Sequence, residues 1–282
     1  MSSTTRVTSA TAEEQPGGDK PAPRGVSARS VALPAEHGSW SLVLEPILLG
    51  LLVAPSWAGL ALSVAAFALF LFNRPFKVYW GDLRRGRAYA RTAVARRYAL
   101  IYGMAALAGT VAAVWLGGWL PFVPALAVAP LILLFMAYDQ RPGRHWQAEL
   151  AAPVAFAAVA CAIGLAGGLP WTVSLALWGF MIARSAPAVL YVRARLRLDK
   201  GKPTSPWGVV VAHVAAVVLV FALVLPGLLP STAAIAVVIL LGRAIWGLST
   251  YRWRSSVKAL GFLETGFGLV AVLLTALGFW IR

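Results

Sequence analysis

Between residues 73 and 97 the chain reads NRPFKVYWGDLRRGRAYARTAVARR, where eight Lys or Arg meet a single acid, Asp82. Guanidinium and ammonium groups bind phosphates and carboxylates, and Arg does so through two parallel hydrogen bonds. A second basic stretch, RSAPAVLYVRARLR at 184–197, spaces Arg184, Ala188, Tyr191 and Arg195 by four, three and four. On a helix that spacing brings two guanidiniums and a phenol onto one face. Arg74 and Lys77 stand about one helical turn apart. Arg74, Lys77, Arg184, Tyr191 and Arg195 are therefore the candidate anion-binding residues. Each also has a plainer reading as a cation that sets topology and snorkels to water and lipid headgroups, which is how Arg193 and Arg197 are read. Arg84, Arg87 and Arg91 recur at three and four, and suit either a short interfacial helix on anionic lipid or a phosphate clamp.

A further set of polar groups lies inside or beside apolar runs. Glu45, Glu149, Arg184, His213, Arg243 and Glu264 are ionisable and fall within them. A charge in hydrocarbon costs several kcal/mol unless it faces the bundle interior and finds a partner. In the topology given below all six share the cytoplasmic half of the membrane, which a cavity open to the cytoplasm would impose. Asn73, and Glu36 with His37 before the first span, complete the set expected to line it. Glu36 and His37 have the chemistry for proton transfer, and equally for capping the helix. The bland alternative for Glu264 is a pairing with Arg243 or Lys258 that only holds helices together. Three dispersed histidines and the lone Cys161 give no metal-ligand spacing, and no phosphate-binding Gly-rich loop, nucleophile elbow or His-Glu-x-x-His motif is present. No cofactor is expected.

These residues must be positioned by membrane helices. The sequence is 60% hydrophobic and 12% charged, too apolar for a water-soluble domain. Its net charge of +15 falls in short gaps between apolar runs, which fits the positive-inside rule and speaks against nucleic-acid binding. Nine runs reach or approach the ~20 residues a spanning helix needs. They are 40–54, 57–72, 98–116, 120–137, 149–166, 171–191, 207–225, 232–248 and 260–281. Their connections alternate between uncharged (55–56, 117–119, 167–170, 226–231) and basic, so the N-terminus is assigned to the cytoplasm and Arg282 to the outside. Residues 1–33, rich in Ser, Thr, Pro, Gly and Ala, read as a disordered cytoplasmic tail, and 34–282 as a single transmembrane domain. The second and sixth runs each lead straight into an Arg-rich segment, a weak echo of a four-helix repeat.

Three stretches resemble the YwiC-like family of bacterial integral membrane proteins: LPAEHGSWSLVLEPILLG at 33–50, NRPFK at 73–77 and RSAPAVLYVRARLR at 184–197. The resemblance extends over nearly all the chain after the tail and implies a multi-pass protein of the bacterial plasma membrane; it implies no mechanism. At lower specificity, nine spans with cytoplasmic loops after the second and sixth resemble the UbiA-type prenyltransferase arrangement. Those enzymes hold a prenyl diphosphate through Mg²⁺ bound by Asp-rich motifs in these loops. Here Arg74, Lys77 and Gly81 stand in the first and Tyr-Val-Arg-Ala-Arg in the second, and cations do not chelate Mg²⁺. The expectation is an all-α, polytopic bundle of about nine spans that binds or moves an anionic isoprenoid or phospholipid. A metal-independent prenyl or lipid-group transferase and a structural membrane subunit are the alternatives.

Overall fold

The computed structural model describes residues 28–34, 37–86, 89–139 and 146–282, and leaves the side chains at 29, 37–39, 135–139 and 146–149 outside that description. Ten α-helices occupy the described residues, with no strand among them. They are α1 (Ala28–Ala32), α2 (His37–Val53), α3 (Trp57–Arg84), α4 (Ala90–Gly117), α5 (Val123–Asp139), α6 (Trp146–Ala166), α7 (Trp171–Asp199), α8 (Trp207–Val224), α9 (Ser231–Leu248) and α10 (Val257–Trp280).

Six of them, α3, α4, α7, α8, α9 and α10, are long and apolar enough to cross a bilayer, and three shorter apolar helices lie at Trp40–Val53, Leu120–Leu134 and Leu150–Ala166. The chain is a multi-pass membrane protein. Its outer faces support this: Met104, Leu107, Val111 and Trp115 on α4, and Trp207, Val211 and Val218 on α8, are exposed apolar side chains in rows that water would not tolerate.

Local chemistry explains the helix ends. Ser56 and Ser256 cap α3 and α10, their hydroxyls accepting from the amides of Gly59 at 2.9 Å and Ala259 at 3.1 Å. After α6, the Leu169 amide reaches back to the Gly164 carbonyl and that of Gly168 to Leu165, a Schellman closure that needs the positive φ of 84° at Gly168. Five prolines (Pro46, Pro75, Pro130, Pro153 and Pro187) lie inside helices without ending them. Pro75 corrects the expected boundary of the second span. Instead of stopping at residue 72, α3 runs 28 residues to Arg84. Pro75 is buried and forfeits one backbone bond, but α3 packs along α4 over most of its length, and that packing offsets the loss. Gly109 permits the approach, since a Cβ there would stand 2.8 Å from the Ala61 carbonyl oxygen. Arg84 and Arg91 therefore belong to two long helices and not to a separate interfacial one.

Helices α2, α6, α7, α8, α9 and α10 contact one another in that order and close as α10 returns to α2. Within this ring α7 also reaches α2, α9 and α10. Leu49, Leu177, Phe180, Met181, Val220, Leu240 and Val272 fill the interior. Helix α3 lies outside the ring on α2 and α6, where Trp40, Phe67, Phe70 and Phe156 stack in tilted and edge-on pairs, and α4 packs on α3. Of the expected N-terminal tail, 28–32 is helical and packs on α3 and α4, with Val31 and Ala32 buried; residues 1–27 lie outside the described residues.

Candidate functional site

The one-sided spacing on α7 points into the ring: Arg184, Ala188, Tyr191 and Arg195 are all buried. From Arg184 a chain of polar contacts crosses the interior. Its Nη2 donates to Oε1 of Glu45 on α2 at 3.0 Å and to the main-chain carbonyl of Glu264 on α10 at 2.8 Å. The carboxylate of Glu264 receives Nη1 of Arg243 from α9 as a close ion pair. Arg243 Nη2 lies 3.3 Å from Nε2 of His213 on α8, whose Nδ1 is 2.9 Å from the Val209 carbonyl oxygen. A carbonyl only accepts, so Nδ1 carries the proton and Nε2 accepts from Arg243. The Arg243 guanidinium also sits over the Tyr191 ring, 4.1 Å from its centroid, and 5.5 Å from that of Phe267.

Five helices of the ring thus meet through Glu45, Arg184, His213, Arg243 and Glu264, each at most 8% exposed. Gly268 makes room for them. A Cβ at that position would occupy the space of the Glu45 carboxylate and the Arg184 guanidinium, so only glycine lets α10 come this close. Two arginines balance two glutamates, and the imidazole is neutral by the bonds it makes. The balance of hydrogen bonds is less complete. Nε of Arg184, Nε of Arg243 and Oε2 of Glu264 are buried with no hydrogen-bond partner among the described residues. Buried polar atoms without partners are rare in folded proteins and mark places where another group or water enters.

Beside this cluster lies an open recess of about 430 Å³, walled by Tyr191, Arg195, Arg243, Trp246, Trp253, Glu264 and Phe267 among others. Trp246 and Trp253 meet edge to face at 5.5 Å. Arg195 is held rigidly within the wall. Its Nε pairs with Asp199 at 3.0 Å, its Nη1 donates to the Gly247 carbonyl at 2.7 Å, and its Nη2 donates to the Trp253 carbonyl. The Tyr191 ring in turn rests on Gly247, where any Cβ would collide with it.

Three of the remaining expected residues fall elsewhere. Asn73 and Lys77 are exposed on α3, and half-buried Arg74 donates from Nε to the Ser30 carbonyl at 3.0 Å, so that it anchors α1. Glu36 and the side chains of His37 and Glu149 lie outside the described residues. Of the thirteen candidates, six therefore converge: Glu45, Arg184, Tyr191, His213, Arg243 and Glu264, with Arg195 adjoining them across the recess. Among the described residues no three His, Cys, Asp or Glu gather as a metal site requires.

Two acids that stood outside the candidate set hold arginines. Asp82, 1% exposed, accepts from Arg91 through both oxygens at 3.1 and 2.7 Å and from the Thr92 hydroxyl at 2.8 Å, clasping the ends of α3 and α4. Asp199 holds Arg195 and stands 3.5 Å from Arg252. The spacing of four between Arg195 and Asp199 was the available signal for the second. Trp246 and Trp253 were missed as recess walls.

Residues 33–164 match the model of the YwiC-like protein family. The match takes in the opening motif and NRPFK, and stops before the stretch at 184–197. Glu45 is the one member of the buried cluster inside it. No curated protein and no solved structure matches the chain.

Proposed function

We propose that this membrane protein, YwiC-like over residues 33–164, binds or moves an anionic amphiphile, an isoprenoid or a phospholipid, in the recess beside the buried cluster. One observation carries the reading: the recess joins aromatic and aliphatic walls to the guanidiniums of Arg243 and Arg195. Such a surface suits an acyl or prenyl chain that ends in a phosphate, and its volume lies in the range of small-molecule sites. In this reading all nine apolar helices α2–α10 cross the membrane, with the N-terminus inside and the C-terminus outside. The alternation of basic and uncharged connections supports that topology. Helices α3 with 28 residues and α7 with 29 stand four apart and both carry cations past their apolar stretch, at the two places where the UbiA-type arrangement has its cytoplasmic loops. The recess then opens toward the cytoplasm.

A purely structural role is favoured by a different observation, the cancellation of two arginines by two glutamates. Native mass spectrometry of the purified protein separates the two. The wild type is expected to retain an anionic lipid that Arg243→Gln loses and Arg197→Gln keeps, with melting curves confirming that all three are folded. A wild type that carries no anionic lipid, or an Arg243→Gln protein that carries it equally, would overturn the binding reading.

A further inference from the structure

The recess is a groove between α9 and α10, and the pattern of its walls shows which way it opens. Ile239, Gly242, Arg243 and Trp246 line it from α9, and Leu260, Leu263, Glu264 and Phe267 from α10. Both sets step by three, one and three, so a single face of each helix forms a wall. Tyr191 and Arg195 of α7 close the bottom, and with Arg243 and Glu264 they are buried. The rim is built otherwise: Ile239, Gly242, Trp246 and Leu263 are exposed. On helices that cross a bilayer, an exposed apolar rim meets acyl chains and not water. Two glycines of α9 separate packing from access. A Cβ at Gly247 would strike the Tyr191 ring, whereas one at Gly242 would meet nothing within 4 Å among the described residues. Glycine weakens a helix relative to alanine, and at Gly242 no close packing requires it. What it leaves is a notch in the rim directly beside Arg243.

We infer that the recess is filled sideways from the surrounding leaflet, through the slot between α9 and α10 at Gly242. The ligand is then a membrane lipid that stays half in the bilayer, its headgroup on Arg243 and its chain along Ile239, Leu263 and Phe267. This deepens the amphiphile reading above and rests on it. The order of polar and apolar groups along the groove fits a lipid. Ile239 lies four residues from Arg243, and Phe267 three from Glu264, both on the side away from the segment 249–256 that joins the two helices. Each step is about one turn, so the apolar end of the groove stands deeper between the helices than the charged end. A lipid of the leaflet nearer that joining segment has the same polarity. At the charged end the buried Nε of Arg243 and Oε2 of Glu264 have no partner among the described residues, as expected where another polar group arrives. The chain passes from lipid to lipid-like walls, so the hydrophobic effect adds little and selection falls to the headgroup and to the width of the slot. The chain also holds the headgroup at the slot, so a free phosphate ester competes only as a dilute solute.

The test uses the full-length protein in nanodiscs of phosphatidylcholine that contain a phosphatidylglycerol with a diazirine near the end of one acyl chain. Photolysis followed by peptide mass spectrometry reads where that chain lies. The wild type is expected to cross-link on α9 and α10, around Ile239, Leu263 and Phe267. In Gly242→Leu the new side chain fills the slot, and the cross-link should fall about tenfold, the size of loss that overfilling a packed site brings. Gly266→Leu is the control. Gly266 is an exposed glycine of α10 with equally open surroundings, outside the recess, so this variant should keep the cross-link. Both variants should melt no lower than wild type, and an excess of glycerol phosphate should leave the wild-type cross-link unchanged. Should Gly242→Leu fail to fold, Leu263→Trp fills the slot from the other wall and takes its place. Cross-links undiminished in the slot-filling variant, cross-links confined to α4 or α8, or displacement of the lipid by glycerol phosphate would each overturn the sideways entry. If anionic lipid were still retained by wild type and lost in Arg243→Gln, the amphiphile reading would stand without the slot. A wild type that retains no anionic lipid would overturn that reading, and the slot with it.

Discussion

Two arginine-rich regions of this molecule look alike in sequence and are built in opposite ways. At the tip of α3 and α4 the one acid, Asp82, is claimed by Arg91 from just across the turn, and Arg84, Arg85, Arg96 and Arg97 are left exposed. In α7 Arg184 and Arg195 turn inward, and Arg184 is bound by a carboxylate 139 residues away and a carbonyl 80 residues away. Local pairing needs only two neighbouring helices. Remote pairing needs the ring to close, so Arg184 and Arg195 of α7 report on the assembled bundle while the arginine paired at the α3–α4 tip reports on a hairpin. The difference lies in where the acids come from, which the number of arginines does not reveal.

The largest effect expected from this contrast is at Arg184. Replacing it with Ala leaves Glu45 charged, buried and unpaired, and a broken buried pair typically costs about 3–5 kcal/mol. Thermal unfolding in detergent should show that loss, and Glu45→Gln added to Arg184→Ala should recover part of it by removing the orphaned charge. If the double variant were no more stable than the single one, Arg184 would be acting through its bond to the Glu264 carbonyl alone.

The clasp at the tip should respond more weakly. Asp82→Asn keeps the shape and removes the charge that Arg91 faces, but the Arg91 side chain is 45% exposed and water takes over much of the lost interaction. The expected outcome is a smaller drop in melting temperature than for Arg184→Ala, and faster hydrogen exchange confined to the amides of 83–86 and 89–92. Because half of the pair is solvated, added salt should narrow the gap between Asp82→Asn and wild type, whereas it should scarcely alter the effect of Arg184→Ala. A loss at Asp82 equal to that at Arg184 would erase the distinction between local and remote pairing.

What the sequence made legible follows the same division. Apolar runs located the helices because hydrocarbon thickness dictates their length, and the spacing of Arg184, Ala188, Tyr191 and Arg195 identified a buried face because helical periodicity is local. The polar residues inside runs drew attention because their burial is costly, and Glu45, Arg184, His213, Arg243 and Glu264 do meet. The pairing of Arg243 with Glu264 was one of the two the sequence offered for that acid, but that of Arg184 with Glu45 was not legible, since it depends on how α2, α7 and α10 pack together around Gly268. NRPFK misled for a physical reason. The apolar run ends at residue 72, and the packing of α3 on α4 that carries the helix on past Pro75 is a tertiary effect with no local signature.

Arg74 gives the smallest and most discriminating effect. Its Nε bond to the Ser30 carbonyl lies at the protein surface, where single substitutions usually change stability by no more than about 0.5 kcal/mol. Arg74→Gln should therefore leave the melting curve nearly unchanged, while the amides of α1 exchange faster as that helix loses its tether. Lipid retention is the sharper readout. If Arg74 serves only α1, the variant should retain the same anionic lipid as wild type, in contrast to Arg243→Gln. Loss of the lipid with an intact melting curve would mean that the NRPFK segment reaches the ligand after all, joining the exposed basic tip of α3 to the buried arginines of the ring in one binding surface.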